Sequence, residues 1–144
     1  MTVNQILAVK GKEVFSVLPS ITVYEALVIM SEKNIGAILV VENNVLIGIF
    51  SERDYARKIA LKDKSSKETL VQEIMASDVI TVKPSDNLDY CMELMYTKKI
   101  RHLPVIENDN IIGIISIGDV VKSIIDLQKE TIQYLDSYIS GGKT

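Results

Sequence analysis

The chain has 144 residues, 47% hydrophobic and 24% charged, with a formal net charge of −3, enough for one compact domain or two small subdomains sharing a core. That charge offers nucleic acid no global attraction, the single cysteine precludes an internal disulfide, and one cysteine with one histidine argues against a zinc site within the chain. No apolar run approaches the ~20 residues that cross a bilayer, and the opening MTVNQILAVKGKE lacks a signal peptide's apolar core and cleavage site, so a soluble, cytoplasmic protein is expected.

In chain order, VNQIL at residues 3–7 opens a first helical segment, and a short apolar strand follows over residues 14–18, ended by Pro19-Ser20. Val23, Ala26, Leu27 and Met30 then recur at helical spacing, with Glu25, Glu32 and Lys33 off that face. Thr22 is placed to cap this helix. A buried strand over 37–41, the polar turn Glu42-Asn43-Asn44 and a second strand over 46–50 predict a hairpin. Ser51 opens a closing helix. Residues 61–78 form a connector in which KDKSSKE is an exposed loop, and Thr69-Leu70-Val71-Gln72 matches a capping box leading into the short helix VQEIM.

From residue 79 the same order returns. Pro84-Ser85, the stripe Leu88, Cys91, Met92 and Met95 capped by Asn87, the strand over 103–106, the turn at residues 107–110, the strand over 111–115 and Ser116 repeat the earlier elements. A long amphipathic helix over 120–139, apolar at Ile124, Ile125, Ile132 and Leu135, ends at Gly141-Gly142. It exceeds what a small subdomain needs, so its spare apolar face suits a partner chain.

The return is a duplication. Residues 14–60 align with 79–125 without a gap, and sixteen of the 47 positions are identical. A period this long fits a doubled small domain better than a solenoid. The echo of VNQIL in VQEIM extends the unit upstream, at an offset of 68 rather than 65. Two similar halves can pack about a pseudo-two-fold axis, so any site is expected twice.

Each copy has a Pro-Ser near its start and a Gly-h-h-Ser-x-x-Asp ending, where h is apolar: residues 48–54 and 113–119. This pattern resembles tandem cystathionine beta-synthase (CBS) domains, and stretches such as SERDYARK, IRHLPV and SIGDVVK resemble a stand-alone CBS-pair subfamily. The resemblance implies an α/β (α+β) fold of two CBS domains, each a small sheet with helices on one face. The expected boundaries are 1–60 for the first domain with its N-terminal helix, 61–78 for the connector, 79–126 for the second domain and 127–144 for the helical extension.

Chemically, free amides at a helix start suit an anion or sugar oxygen, and an aspartate in the first turn can accept both hydroxyls of a ribose diol. The resemblance gives Asp54 and Asp119 that role, with Ser51 and Ser116 on ribose or phosphate. It further implies two clefts shared between repeats. In one, Ser116 and Asp119 face Ser16 and the strand residues Ala37, Ile38 and Leu39, with Arg101 and His102 as phosphate partners. In the other, Ser51, Arg53 and Asp54 face Thr81 and His102, Leu103 and Pro104. Gly48 and Gly113 let a ligand or neighbouring backbone come close. The copies differ where Arg53 stands against Gly118, and Gly36-Ala37 against Arg101-His102.

The competing reading is structural. Ser51 and Ser116 suffice as helix caps, the two aspartates favour a helix start by its dipole, and Cys91 matches Ala26 on a core stripe. No nucleophile–base pair accompanies His102, which argues against an enzyme. The functional expectation is a non-catalytic sensor of AMP, ADP or ATP, needing no cofactor, with NAD(H) or S-adenosylmethionine as alternatives. A homodimer relaying ligand state to a protein target is expected, and no membrane or nucleic-acid role. A ligand-free dimerisation module is the alternative class.

Overall fold

The computed structural model describes residues 1–141. Gly142, the second of the two helix-ending glycines, lies outside the described residues. The elements are α1 (Val3–Lys10), β1 (Ser16–Val17), α2 (Val23–Lys33), β2 (Ala37–Glu42), β3 (Val45–Ser51), α3 (Glu52–Asp54) continuing as a π-helical turn (Tyr55–Ala60), α4 (Val71–Ile74), α5 (Leu88–Lys98), β4 (His102–Glu107), β5 (Asn110–Ser116) and α6 (Ile117–Gly141). The chain divides into two compact units. One comprises Glu13–Thr81 and Asn108–Ile112; the other comprises Met1–Lys12, Val82–Glu107 and the chain from Gly113 onward.

In the first-repeat unit, β1 runs parallel to β2, and β2 pairs antiparallel with β3 in the order β1-β2-β3. Asn43 and Asn44 both adopt positive φ (52° and 63°), the conformation a two-residue hairpin turn demands and asparagine tolerates. Val23, Ala26 and Met30 of α2 pack with Ile38, Val40, Phe50, Ile59, Val71 and Ile74. The expected α2 stripe is therefore core, with Leu27 at its margin. Thr69 does not form the expected capping box: its hydroxyl donates to Ser65 O at 2.7 Å. The carboxylate of Glu73 instead accepts from Leu70 N–H at 2.6 Å and holds the start of α4.

The second-repeat unit repeats this logic with a shorter sheet. Leu88, Cys91 and Met95 are the buried positions of α5. The expected opening strand is reduced to a single bridge, Val82 to Val105. The cause is Pro104. In the first repeat Leu39 N–H donates to Phe15 O at 3.4 Å, extending the β1 ladder. Pro104 stands at the position of Leu39 and has no N–H to donate. Only its carbonyl serves, accepting from Val82 N–H at 3.0 Å.

The N-terminal helix does not follow chain order. Expected with residues up to 60, α1 packs in the second-repeat unit: Val3 N–H donates to Asp86 O at 2.8 Å and Asn4 N–H to Pro84 O at 2.9 Å. Thr2 and Gln5 cap α1 reciprocally, and Val3, Ile6 and Leu7 are buried. Likewise α4 serves the first-repeat unit, where Ala76 and Ile49 exchange backbone hydrogen bonds of 2.9 and 3.0 Å.

Candidate functional site

Each hairpin ends on a serine that turns at once into a helix. Ser51 is extended (φ −126°, ψ 163°), and its Oγ accepts from Asp54 N–H at 3.2 Å. In return Asp54 Oδ2 accepts from the Ser51 N–H and hydroxyl, both at 3.0 Å. Ser116 and Asp119 repeat this pair at 3.2, 2.7 and 2.9 Å. It is a capping box with aspartate as the third helical residue. So the structural reading of these residues holds in both repeats. It does not exhaust them, because 17% of the Asp54 side chain and 21% of the Asp119 side chain stay open to solvent.

A lysine closes on each aspartate from a different direction. Lys58, one helical turn past Asp54, places Nζ 3.2 Å from Oδ1 and donates to Ile74 O at 2.9 Å. In the second repeat the position of Lys58 is Ser123, whose hydroxyl donates to Asp119 O at 2.9 Å. The cation comes instead from α1: Lys10 Nζ lies 2.6 Å from Asp119 Oδ2 and donates to Ile114 O at 2.6 Å. Burial pushes the Asp119 carboxyl up, but the hydrogen bonds from Lys10 and Ser116 outweigh it and hold the group below its ordinary pKa.

Lys10 is the residue sequence reasoning missed. It precedes the duplicated stretch, where the offset changes, so repeat alignment assigns it no counterpart at the site. The two glycines were read partly wrongly as well. A Cβ on Gly113 would stand 2.7 Å from Leu7 Cδ2, and one on Gly48 would overlap Met75 and stand 3.1 Å from Ala76 O. Gly113 admits Leu7 of α1, the helix that ends on Lys10, and Gly48 admits the Met75-Ala76 segment that follows α4.

The remaining expected residues divide between the units. In the first-repeat unit, Ala37 pairs with Ser51 across the hairpin and Ser16 pairs with Leu39. Ile38 sends its side chain into the core with Val40, so only its backbone is available to flank a base. Arg53 is exposed beside Asp54, and Thr81 is exposed outside the sheet. In the second-repeat unit, Leu103 and Pro104 are buried, Arg101 is exposed, and Arg101 O accepts from Ile117 N–H at 2.8 Å at the start of α6. His102 is drawn to the same corner. Burial lowers its pKa, helped by Lys10 and Arg101 and opposed by Asp119, so the imidazole is neutral near pH 7. Cys91 is fully buried, and burial followed by Asp86 pushes its thiol up to about 11, which leaves it no nucleophilic role.

A family model described as the CBS domain matches residues 8–61 and again 71–126. The mitochondrial CBS domain-containing protein CBSX3 of Arabidopsis thaliana is 44% identical over 126 residues, covering 84% of this chain, which spans 61% of that protein's length. A putative signal-transduction protein with CBS domains from Burkholderia ambifaria superposes with a TM-score of 0.85 at 48% identity, over 88% of this chain and 95% of that one. The CBS domain pair of protein MJ0100, solved with 5′-methylthioadenosine and S-adenosyl-L-methionine, superposes with a TM-score of 0.76 at 25% identity, over 86% of this chain and 95% of that one. Proteins built from such pairs are regulatory modules. Two matched copies covering most of the chain, each closing on the same serine–aspartate cap, make it a member of the CBS-domain family with two tandem CBS domains.

Proposed function

We propose that this chain is a non-catalytic regulatory module that binds an adenosine-containing ligand, AMP, ADP or ATP, through the carboxylates of Asp54 and Asp119. The observation that carries this reading is the duplicated cap. The same serine and aspartate stand in the same geometry at two helix starts, each carboxylate keeping an open edge beside a cation. A diol can donate both hydroxyls to that edge, and the adenosine compounds bound by the MJ0100 pair carry such a diol. In this reading Ser51, Arg53 and Asp54 hold one nucleotide and Ser116 and Asp119 the other, with Arg101 and His102 toward the phosphate of the second.

A ligand bound only by the folded chain adds about 2.7 kcal/mol of stability at a hundredfold excess over Kd. Thermal unfolding with AMP, ADP, ATP, NAD(H) or S-adenosylmethionine therefore ranks the candidates. The rise is expected with the adenine nucleotides and is expected to vanish in Asp54→Ala/Asp119→Ala. A double variant that still responds fully refutes the ribose assignment.

The relay is assigned to a homodimer. Ile132, Tyr134, Leu135, Tyr138 and Ile139 on α6 are 51–74% exposed, and a groove between α5 and α6 is lined by Leu88, Met92, Ile124, Leu127 and Ile132. An apolar stripe of this kind supports association. Truncation after Leu127 is expected to turn a concentration-dependent dimer into a monomer. A dimer that forms without ligand response would favour the pure interaction module instead.

A further inference from the structure

We infer that Lys10 makes the second-repeat site selective for anionic nucleotides, by leaving Asp119 for the ligand's phosphate when a ribose diol takes the carboxylate. The inference rests on the ribose reading of Asp119 and adds a residue and a charge rule to it. Lys10 has two acceptors, Asp119 Oδ2 and Ile114 O, each at 2.6 Å. Its side chain is 30% exposed, so the flexible stem can turn the ammonium outward without moving α1. The helix itself is anchored elsewhere, by its bonds to Pro84 and Asp86 and by Leu7 against Gly113.

The charges decide which ligand gains. Lys10, Arg101 and Asp119 all act on His102, and with the imidazole neutral the corner carries one net positive charge. A phosphorylated nucleotide reverses that surplus, and every counter-ion finds a partner. A neutral nucleoside offers the ammonium no new anion, so a diol that uses both carboxylate oxygens must share Oδ2 with it. A cationic sulfonium ligand adds a second unbalanced positive charge. The first-repeat corner is arranged otherwise: Lys58 takes Asp54 Oδ1 from the same helical segment, leaving Oδ2 to Ser51.

The test is isothermal titration of AMP, adenosine and 5′-methylthioadenosine in an Asp54→Ala background, so that the second-repeat site alone reports. Wild-type Lys10 is expected to favour AMP over both nucleosides. Lys10→Met is expected to weaken AMP by about 10- to 100-fold, the usual effect of losing a hydrogen bond to a charged group, while nucleoside affinity holds or rises. Lys10→Arg should restore the preference, and it serves as the folded control should the methionine variant not fold. An AMP affinity unchanged in Lys10→Met, an equal loss for all three ligands, or no preference in the parent overturns the inference while nucleoside binding that Asp119→Asn removes keeps the ribose reading. If none of the three binds the parent, the ribose reading falls and the charge rule with it.

Discussion

The two repeats hold one cap and support it in two ways. In the first, everything local does the work: Ser51, Asp54 and Lys58 lie within eight residues, and the helix relaxes into a π turn that ends at Ala60. In the second, the cap opens an uninterrupted helix to Gly141, and the cation arrives from a helix more than a hundred residues earlier. A π turn is a frequent companion of functional positions. Here it carries the lysine that the second repeat must import. The lesson is that both copies keep the serine–aspartate cap, while the cation beside it comes from the same helical segment in one and from a distant helix in the other.

The largest expected effect separates the two sites. Asp119→Ala and Asp54→Ala should each remove one binding step for AMP, lowering that step's affinity by about a hundredfold through loss of two charge-assisted hydrogen bonds. Calorimetry reading one site instead of two in each single variant would establish the pairing; no change in either would dissolve it.

Next come the glycines under the two short helices. Gly113→Ala should cost about 1–3 kcal/mol in urea unfolding, as overpacking does, because Leu7 is branched and buried. Gly48→Ala should cost at least as much, since its Cβ would meet Met75 at Sδ and Cγ, within the stem, and stand 3.1 Å from the backbone Ala76 O. A clearly smaller cost at Gly48 would mean that Met75 swings aside and that Ala76 O sets no limit.

Smaller is the difference at the helix ends. Asn34 and Lys99 both cap their helices at φ 54°, a conformation that asparagine tolerates better than lysine. Lys99→Asn should therefore stabilise, and Asn34→Lys destabilise, by up to about 1 kcal/mol. Equal and negligible effects would show that the left-handed residue carries little strain in either repeat.

The last effect belongs to the second repeat alone. His102 is held neutral in the fold, so below pH 6.5 the unfolded chain takes up a proton that the folded chain refuses. Stability is then complete above 6.5 and falls as the pH drops through it. Ala37 occupies the matching position in the first repeat and contributes no such slope. His102→Asn should flatten the pH dependence of Tm in that window. A slope that persists in the variant places the titrating group elsewhere.

Much of this was legible without coordinates because it is local. The stripes of α2 and α5, the asparagine turns and the serine–aspartate register each close within a few residues, and the repeat supplied every one of them twice. Local reading failed where a competing local bond was available or a backbone donor was missing. Glu73 reached Leu70 N–H in place of the expected Thr69–Gln72 box, and Pro104 cut short a strand that apolar content alone predicted.

What the sequence determined by itself was the doubled α/β unit, its family and the caps on which a ribose site is proposed, because periodicity and capping are properties of neighbours along the chain. Only the tertiary structure decided that α1 serves the second repeat and α4 the first, that Gly48 and Gly113 make room for those helices, and that Lys10 stands against Asp119. Those contacts bring together residues far apart in sequence, and an offset between two copies carries no record of a partner that lies outside both.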